Sequence, residues 1–90
     1  MAVGVYMENH ITQEKYDAAM RKLNTVGAGA PKGRTYHAAF FEGDTLNVFD
    51  VWESREAFEA FGATLIPIMK EVGAELAEPQ FSEIHNVVAA

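Results

Sequence analysis

The sequence predicts an α+β domain of order βαββαβ, with a ferredoxin-like four-stranded antiparallel sheet carrying both helices on one face. Three observations carry this. The stretch Thr35 to Ser54, TYHAAFFEGDTLNVFDVWES, reads as two strands joined by a two-residue turn and running into a helix start. A strand and a helix precede it, a helix and a strand follow it, and right-handed crossovers on that order place the strands 4-1-3-2. Both faces of the central hairpin are largely apolar, which an antiparallel sheet with one wet face would not be. The helices cover one face, so the other is expected to be buried against a second copy of the chain.

Ninety residues make one domain, spanning 1–90, with no internal linker or repeat. A chain of this size buries only about 60 to 65% of its unfolded surface, so self-association adds useful burial. With 49% hydrophobic residues and 11% aromatics the composition is that of a folded protein. Seven Lys and Arg against thirteen Asp and Glu give a net charge of −6, which argues against nucleic acid and anionic membrane as partners. Cysteine is absent, which removes disulfides, thiolate nucleophiles and Cys-ligated metals. No apolar run approaches the ~20 residues of a membrane span, and the N-terminus lacks the features of a signal peptide. The expected location is the cytoplasm.

The first strand covers Ala2 to Glu8, with Val3, Val5 and Met7 on one face and Gly4 and Tyr6 on the other; Asn9 continues the Val3 face. Thr12 is placed to cap the first helix with Glu14 in its first turn, and Tyr16, Ala19, Met20, Leu23 and Val26 form its apolar stripe. Gly27 stops it, and GAGAPKGR (Gly27 to Arg34) connects to the hairpin. This Gly-rich loop follows a helix and lacks phosphate-loop spacing, so it reads as a mobile connection able to serve as a lid.

In the hairpin, Gly43 as the first loop residue suits a type II′ turn, whose first central position needs positive φ. Pairing Glu42 with Thr45 then sets Phe41 opposite Leu46, Ala39 opposite Val48 and His37 opposite Asp50, with Trp52 one diagonal step further on the same face. The other face carries Tyr36, Ala38 and Phe40 against Val51, Phe49 and Asn47. Ser54 caps the second helix, whose stripe is Phe58, Phe61, Leu65, Ile68, Met69 and Val72; Pro67 is expected to kink or split it. Gly73 ends it. Gln80 to Val88 reads as the last strand.

The DVWES run (Asp50 to Ser54) entering EAFEAF (Glu56 to Phe61), together with the compact βαββαβ length, resembles the dimeric α+β barrel superfamily, particularly small proteins grouped with antibiotic-biosynthesis monooxygenases. The resemblance covers essentially the whole chain. It implies a homodimer with sheets packed face to face, and a pocket between sheet and helices in each subunit. MENHIT (Met7 to Thr12) and VWES also look like the segments that carry a pocket Asn and a pocket Trp in the haem-degrading members, here Asn9 and Trp52. Those enzymes hold haem through a His on the second helix, where this sequence has none. The likeness therefore places Asn9 and Trp52 beside the cavity without implying haem.

The candidate catalytic residues are His37 and Asp50, with Asn9 and Trp52 as substrate-binding residues. Asp50 can hold the His37 imidazole in one tautomer and prepare it as a general base, while Asn9 and the Trp52 indole N–H donate to a developing oxyanion. This suits proton abstraction from an activated phenol or anthrone-like molecule whose carbanion meets dioxygen directly, with no cofactor. The structural alternative is a cross-strand pair stabilising the hairpin by about 1 kcal/mol. Glu83 and His85 share a strand face but are too few to define a metal site. Two functions stay open: a cofactor-independent monooxygenase-like enzyme acting on a small aromatic or polyketide-like molecule, and a non-catalytic small-molecule-binding or stress-response dimer.

Overall fold

A computed structural model describes residues 1–88, apart from the side chains of Asn9 and His10. The elements are β1 (Val3–Ile11), α1 (Gln13–Thr25), β2 (Arg34–Glu42), β3 (Thr45–Trp52), α2 (Arg55–Glu71) and β4 (Gln80–Glu83). The four strands form one antiparallel sheet in the order β2-β3-β1-β4, the ferredoxin-like arrangement expected from the sequence.

The hairpin has the expected register. Glu42 pairs with Thr45, Phe41 with Leu46, Ala39 with Val48 and His37 with Asp50. Gly43 takes φ 61°, and among the described residues none other than glycine has positive φ. Positive φ at the first loop residue alone distinguishes type II′ from type I′. The ladder shifts between Arg34 and Tyr36, so Arg34 lies against Trp52 at the strand's start.

Each helix begins and ends on local chemistry. The Thr12 hydroxyl accepts from Lys15 N–H at 3.2 Å, and the Ser54 hydroxyl accepts from Ala57 N–H at 3.1 Å. At the C-termini, Ala28 N–H donates to Leu23 and Gly27 N–H to Asn24, and Ala74 and Gly73 repeat the pattern on Met69 and Lys70. These are Schellman closures, with Gly27 (φ 77°) and Gly73 (φ 74°) at the left-handed position. A Lys22–Glu71 ion pair of 3.1 Å bridges the two helices.

The first strand runs on to Ile11 instead of ending at Glu8, Val26 is exposed instead of joining the buried stripe of α1, and the second helix and the last strand also differ from expectation. Pro67 does not split α2, which runs unbroken from Arg55 to Glu71. Proline removes one N–H from the ladder, but Ile68 and Met69 follow it immediately and are buried, so packing holds the turn together. The last strand is four residues, not nine. It runs antiparallel to β1 and reaches Val3 at Glu83, after which one further bond, Ile84 N–H to the Ala2 carbonyl, exhausts its partner. Val87 and Val88 are exposed, not part of the sheet.

The core lies between the sheet and the helices in two parts. Val5, Met7, Val48 and Trp52 make one; Ile11, Ala19, Leu23, Leu46, Ile68 and Met69 make the other. Tyr16 from α1 and Phe61 from α2 pack against both. The opposite face is only partly covered among the described residues: Val51 and Asn47 are buried, but Tyr36 is 51% exposed and Phe40 38%. Phe49 and Ile84 reach across Gly4, where a Cβ would sit 3.1 and 3.0 Å from their side-chain carbons. Among the described residues no helix is long and apolar enough to cross a membrane.

Candidate functional site

The alternation of β2 and β3 sends His37, Asp50 and Trp52 to the helix-covered face, where they join in one hydrogen-bonded chain. His37 Nδ1 lies 2.5 Å from Asp50 Oδ1, and the Trp52 indole N–H donates to Asp50 Oδ2 at 3.3 Å. Each oxygen of the buried Asp50 carboxylate thus has a partner, as burial of a carboxylate demands. Nδ1 facing an acceptor-only carboxylate carries the proton, which leaves the neutral ring's lone pair on Nε2.

That lone pair is met by a residue the sequence reading assigned to packing. The Tyr16 hydroxyl lies 2.6 Å from His37 Nε2. The two rings are stacked, 4° from parallel with centroids 6.1 Å apart. Tyr16 sits in the second turn of α1, on the apolar stripe that faces the sheet. Its helical spacing gave the buried face correctly, but a tyrosine on such a stripe differs from phenylalanine only by an oxygen that needs a partner. The only signal in the sequence was that unassigned hydroxyl. Burial pushes the Tyr16 phenol above its ordinary value, Arg34 opposes the shift, and Asp50 and Asp17 add to it.

The relay opens on a partly open cavity of about 50 Å³ between the sheet and both helices. At the ~10–15 Å³ that one water requires, it has room for roughly three or four. Met7, Ile11 and Val48 of the sheet, Ala19, Met20 and Leu23 of α1, and Phe61, Leu65 and Met69 of α2 make most of its wall. Its polar lining is Tyr16, His37, Asp50 and Arg34. Arg34 is half-buried, and its guanidinium donates to the Gly29 carbonyl at 3.1 Å. Gly33 (φ 92°) fixes the approach to it: a Cβ there would lie 2.8 Å from Ala57 Cβ, and its carbonyl accepts from Glu53 N–H at 2.7 Å.

The sequence-predicted residues thus fare differently. His37 and Asp50 pair and both line the cavity. Trp52 joins them through Asp50 but is fully buried, packed edge-on to Phe58 at 5.6 Å and tilted over Phe61 at 5.5 Å, and forms no part of the cavity wall. The Asn9 backbone belongs to β1, at an irregular stretch where Asn9, His10 and Ile11 all pair with Leu46; its side chain lies outside the described residues. No group of three or more potential metal ligands occurs among the described residues.

Fold and cavity define a ferredoxin-like α+β domain with a buried polar relay at the sheet–helix seam. Solved structures with this fold include a protein described as an antibiotic biosynthesis monooxygenase from Chloroflexus aurantiacus, at 15% identity and a TM-score of 0.69, covering 99% of this chain and 98% of that one. SnoaB from Streptomyces nogalater, described as a cofactor-independent oxygenase, is 14% identical with a TM-score of 0.64, covering 99% and 96%. Rv0793 from Mycobacterium tuberculosis is 17% identical with a TM-score of 0.62, covering 100% and 99%. No family model matches the chain, and no curated protein does. At these identities the likeness establishes the shared fold, and function has to be argued from the site.

Proposed function

We propose that this protein is a cofactor-independent monooxygenase acting on a small aromatic molecule with an acidic C–H or O–H. The observation that carries this reading is the unbroken Asp50–His37–Tyr16 relay ending in an apolar cavity. The Tyr16 oxygen takes the substrate proton while its own hydroxyl proton passes to His37 Nε2, and Asp50 stabilises the imidazolium that results. The substrate carbanion supplies the electrons that reduce dioxygen. For an activated methylene the net change is CH2 + O2 → C=O + H2O, with the second oxygen leaving as water.

At about 50 Å³ the cavity is smaller than the ~150 Å³ that holds benzene, so the helices must part for any aromatic substrate, and least for a single ring. SnoaB, the oxygenase of the same fold, supports the class of reaction by analogy only. The test is oxygen uptake with a panel of hydroquinones and anthrone, above the protein-free rate. Wild type accelerates uptake and His37→Ala, folded by circular dichroism, falls by about a hundredfold or more, the scale of a lost general base. Binding without uptake by any member of the panel leaves the second reading, a small-molecule-binding protein. That reading is favoured by the Tyr16 hydroxyl already occupying His37 Nε2.

The homodimer belongs to the same proposal. The uncovered sheet face presents Tyr36 and Phe40, and at the β2 edge Phe41 on the helix side is 55% exposed as well. A second sheet laid against the exposed Tyr36 and Phe40 adds burial that a chain of this size can use.

A further inference from the structure

Among the described residues Arg34 is the only cationic side chain that reaches the cavity. The only other charged lining residue, Asp50, is already engaged by His37 and Trp52. No carboxylate lies within ion-pair distance of Arg34 among the described residues. Its one side-chain bond, to the neutral Gly29 carbonyl, uses a single N–H and leaves it without a direct ion-pair partner. A half-buried guanidinium facing an apolar space is stabilised by an anion, and its remaining N–H groups offer the planar fork that oxygen anions accept. The positive φ of Gly33 and the Gly33–Glu53 bond hold the start of β2 in place, so the cation is presented from a fixed backbone.

We propose that Arg34 is an anion receptor, and that the cavity, which at about 50 Å³ has to widen to admit a ring, takes a single-ring aromatic acid: the ring lies on the Met7, Leu65 and Phe61 wall, and the oxygen anion, phenolate or carboxylate, lies against the guanidinium beside Tyr16. The inference rests on reading the cavity as a ligand site but not on turnover. In the monooxygenase reading it gives Arg34 the task of holding the oxygen on which charge develops as the proton leaves for Tyr16. It also selects among substrates: a hydrocarbon ring of equal size fills the wall and leaves the guanidinium unpaired.

Calorimetric titration with benzoate and with benzyl alcohol, its neutral near-isostere, separates these claims. Benzoate is expected to bind at least tenfold more tightly than benzyl alcohol, with a preference that weakens as salt is raised. Arg34→Gln should abolish the preference by weakening benzoate far more than benzyl alcohol, and Arg34→Lys should keep part of it. Equal binding of the two probes to wild type, or a preference that survives in Arg34→Gln, overturns the anion receptor while leaving the cavity a ligand site. Failure of both probes to bind overturns the receptor and the ligand site together. Circular dichroism of both variants distinguishes a lost site from a lost fold.

Discussion

Tyr16 and His37, from the first helix and the second strand, meet at 2.6 Å with their rings 4° from parallel. The contact joins a helix to an edge strand through a polar bond inside an apolar seam, and it turns the His37–Asp50 pair into a relay with an open end. If Tyr16 only filled space, Tyr16→Phe would be almost neutral. We expect it instead to lower oxygen-uptake kcat by at least tenfold, with thermal stability reduced by about 1 kcal/mol for the lost hydrogen bond.

The same phenol sets a pH dependence. Burial raises the Tyr16 pKa in the folded state above the ordinary 10.0, so the folded protein binds the proton more tightly than the unfolded chain. The stability this contributes is fully present below the unfolded value and is lost as pH rises through the folded one. The contribution of Tyr16 to the melting temperature should therefore be independent of pH near neutrality and should fall above pH ~10. Tyr16→Phe should flatten that alkaline limb in part, because burial also raises Tyr6, with Glu42 and Glu8 adding to the shift.

Asp50 holds two donors from one buried carboxylate. Asp50→Asn removes the charge from both bonds and should destabilise by about 1.5–3 kcal/mol. The readout specific to the relay is by NMR: the Trp52 indole N–H should exchange faster with solvent, and the His37 ring should lose its fixed tautomer. Unchanged signals from both rings would break the link between the three side chains.

Trp52 is fully buried against Phe58 and Phe61, so it serves the site from behind. Trp52→Ala should cost about 3–5 kcal/mol of stability, as large aromatic truncations in cores do. Trp52→Phe should retain most of the fold, lose the bond to Asp50, and leave ligand affinity within about twofold. A selective loss of affinity in a fully folded Trp52→Phe would instead make the indole a ligand contact.

The sheet face opposite the helices predicts assembly. Light scattering at micromolar concentration should give twice the chain mass, and Tyr36→Glu, which puts a charge at a half-exposed position of that face, should give the monomer. A wild-type monomer under these conditions would remove the explanation of the two-sided sheet.

Much of this was legible in the sequence because the signals were local. Gly43 fixed the turn, the turn fixed the register, and the register placed His37 opposite Asp50. Thr12, Ser54, Gly27 and Gly73 marked the helix ends through capping chemistry that operates within a few residues. What escaped depended on tertiary geometry. The contact of Tyr16 with His37 requires knowing how α1 rotates over the sheet, and periodicity gives the buried face without the partner of a hydroxyl. Arg34 looked like the end of a loop, since its relation to the cavity is made by a register shift and by Gly33. The length of the last strand was set by where β1 begins, a fact about its neighbour and not about its own residues.

The central claim is that Asp50 fixes His37 so that Nε2 is the basic nitrogen offered to Tyr16. Long-range nitrogen–proton NMR of the neutral His37 ring tests it most directly, since the two ring nitrogens give different shifts when protonated and bare. A single tautomer with the proton on Nδ1, persisting in Tyr16→Phe and lost in Asp50→Asn, is the predicted result. A ring protonated on Nε2, or one averaging between both tautomers in the wild type, would contradict the relay and the proton transfer built on it.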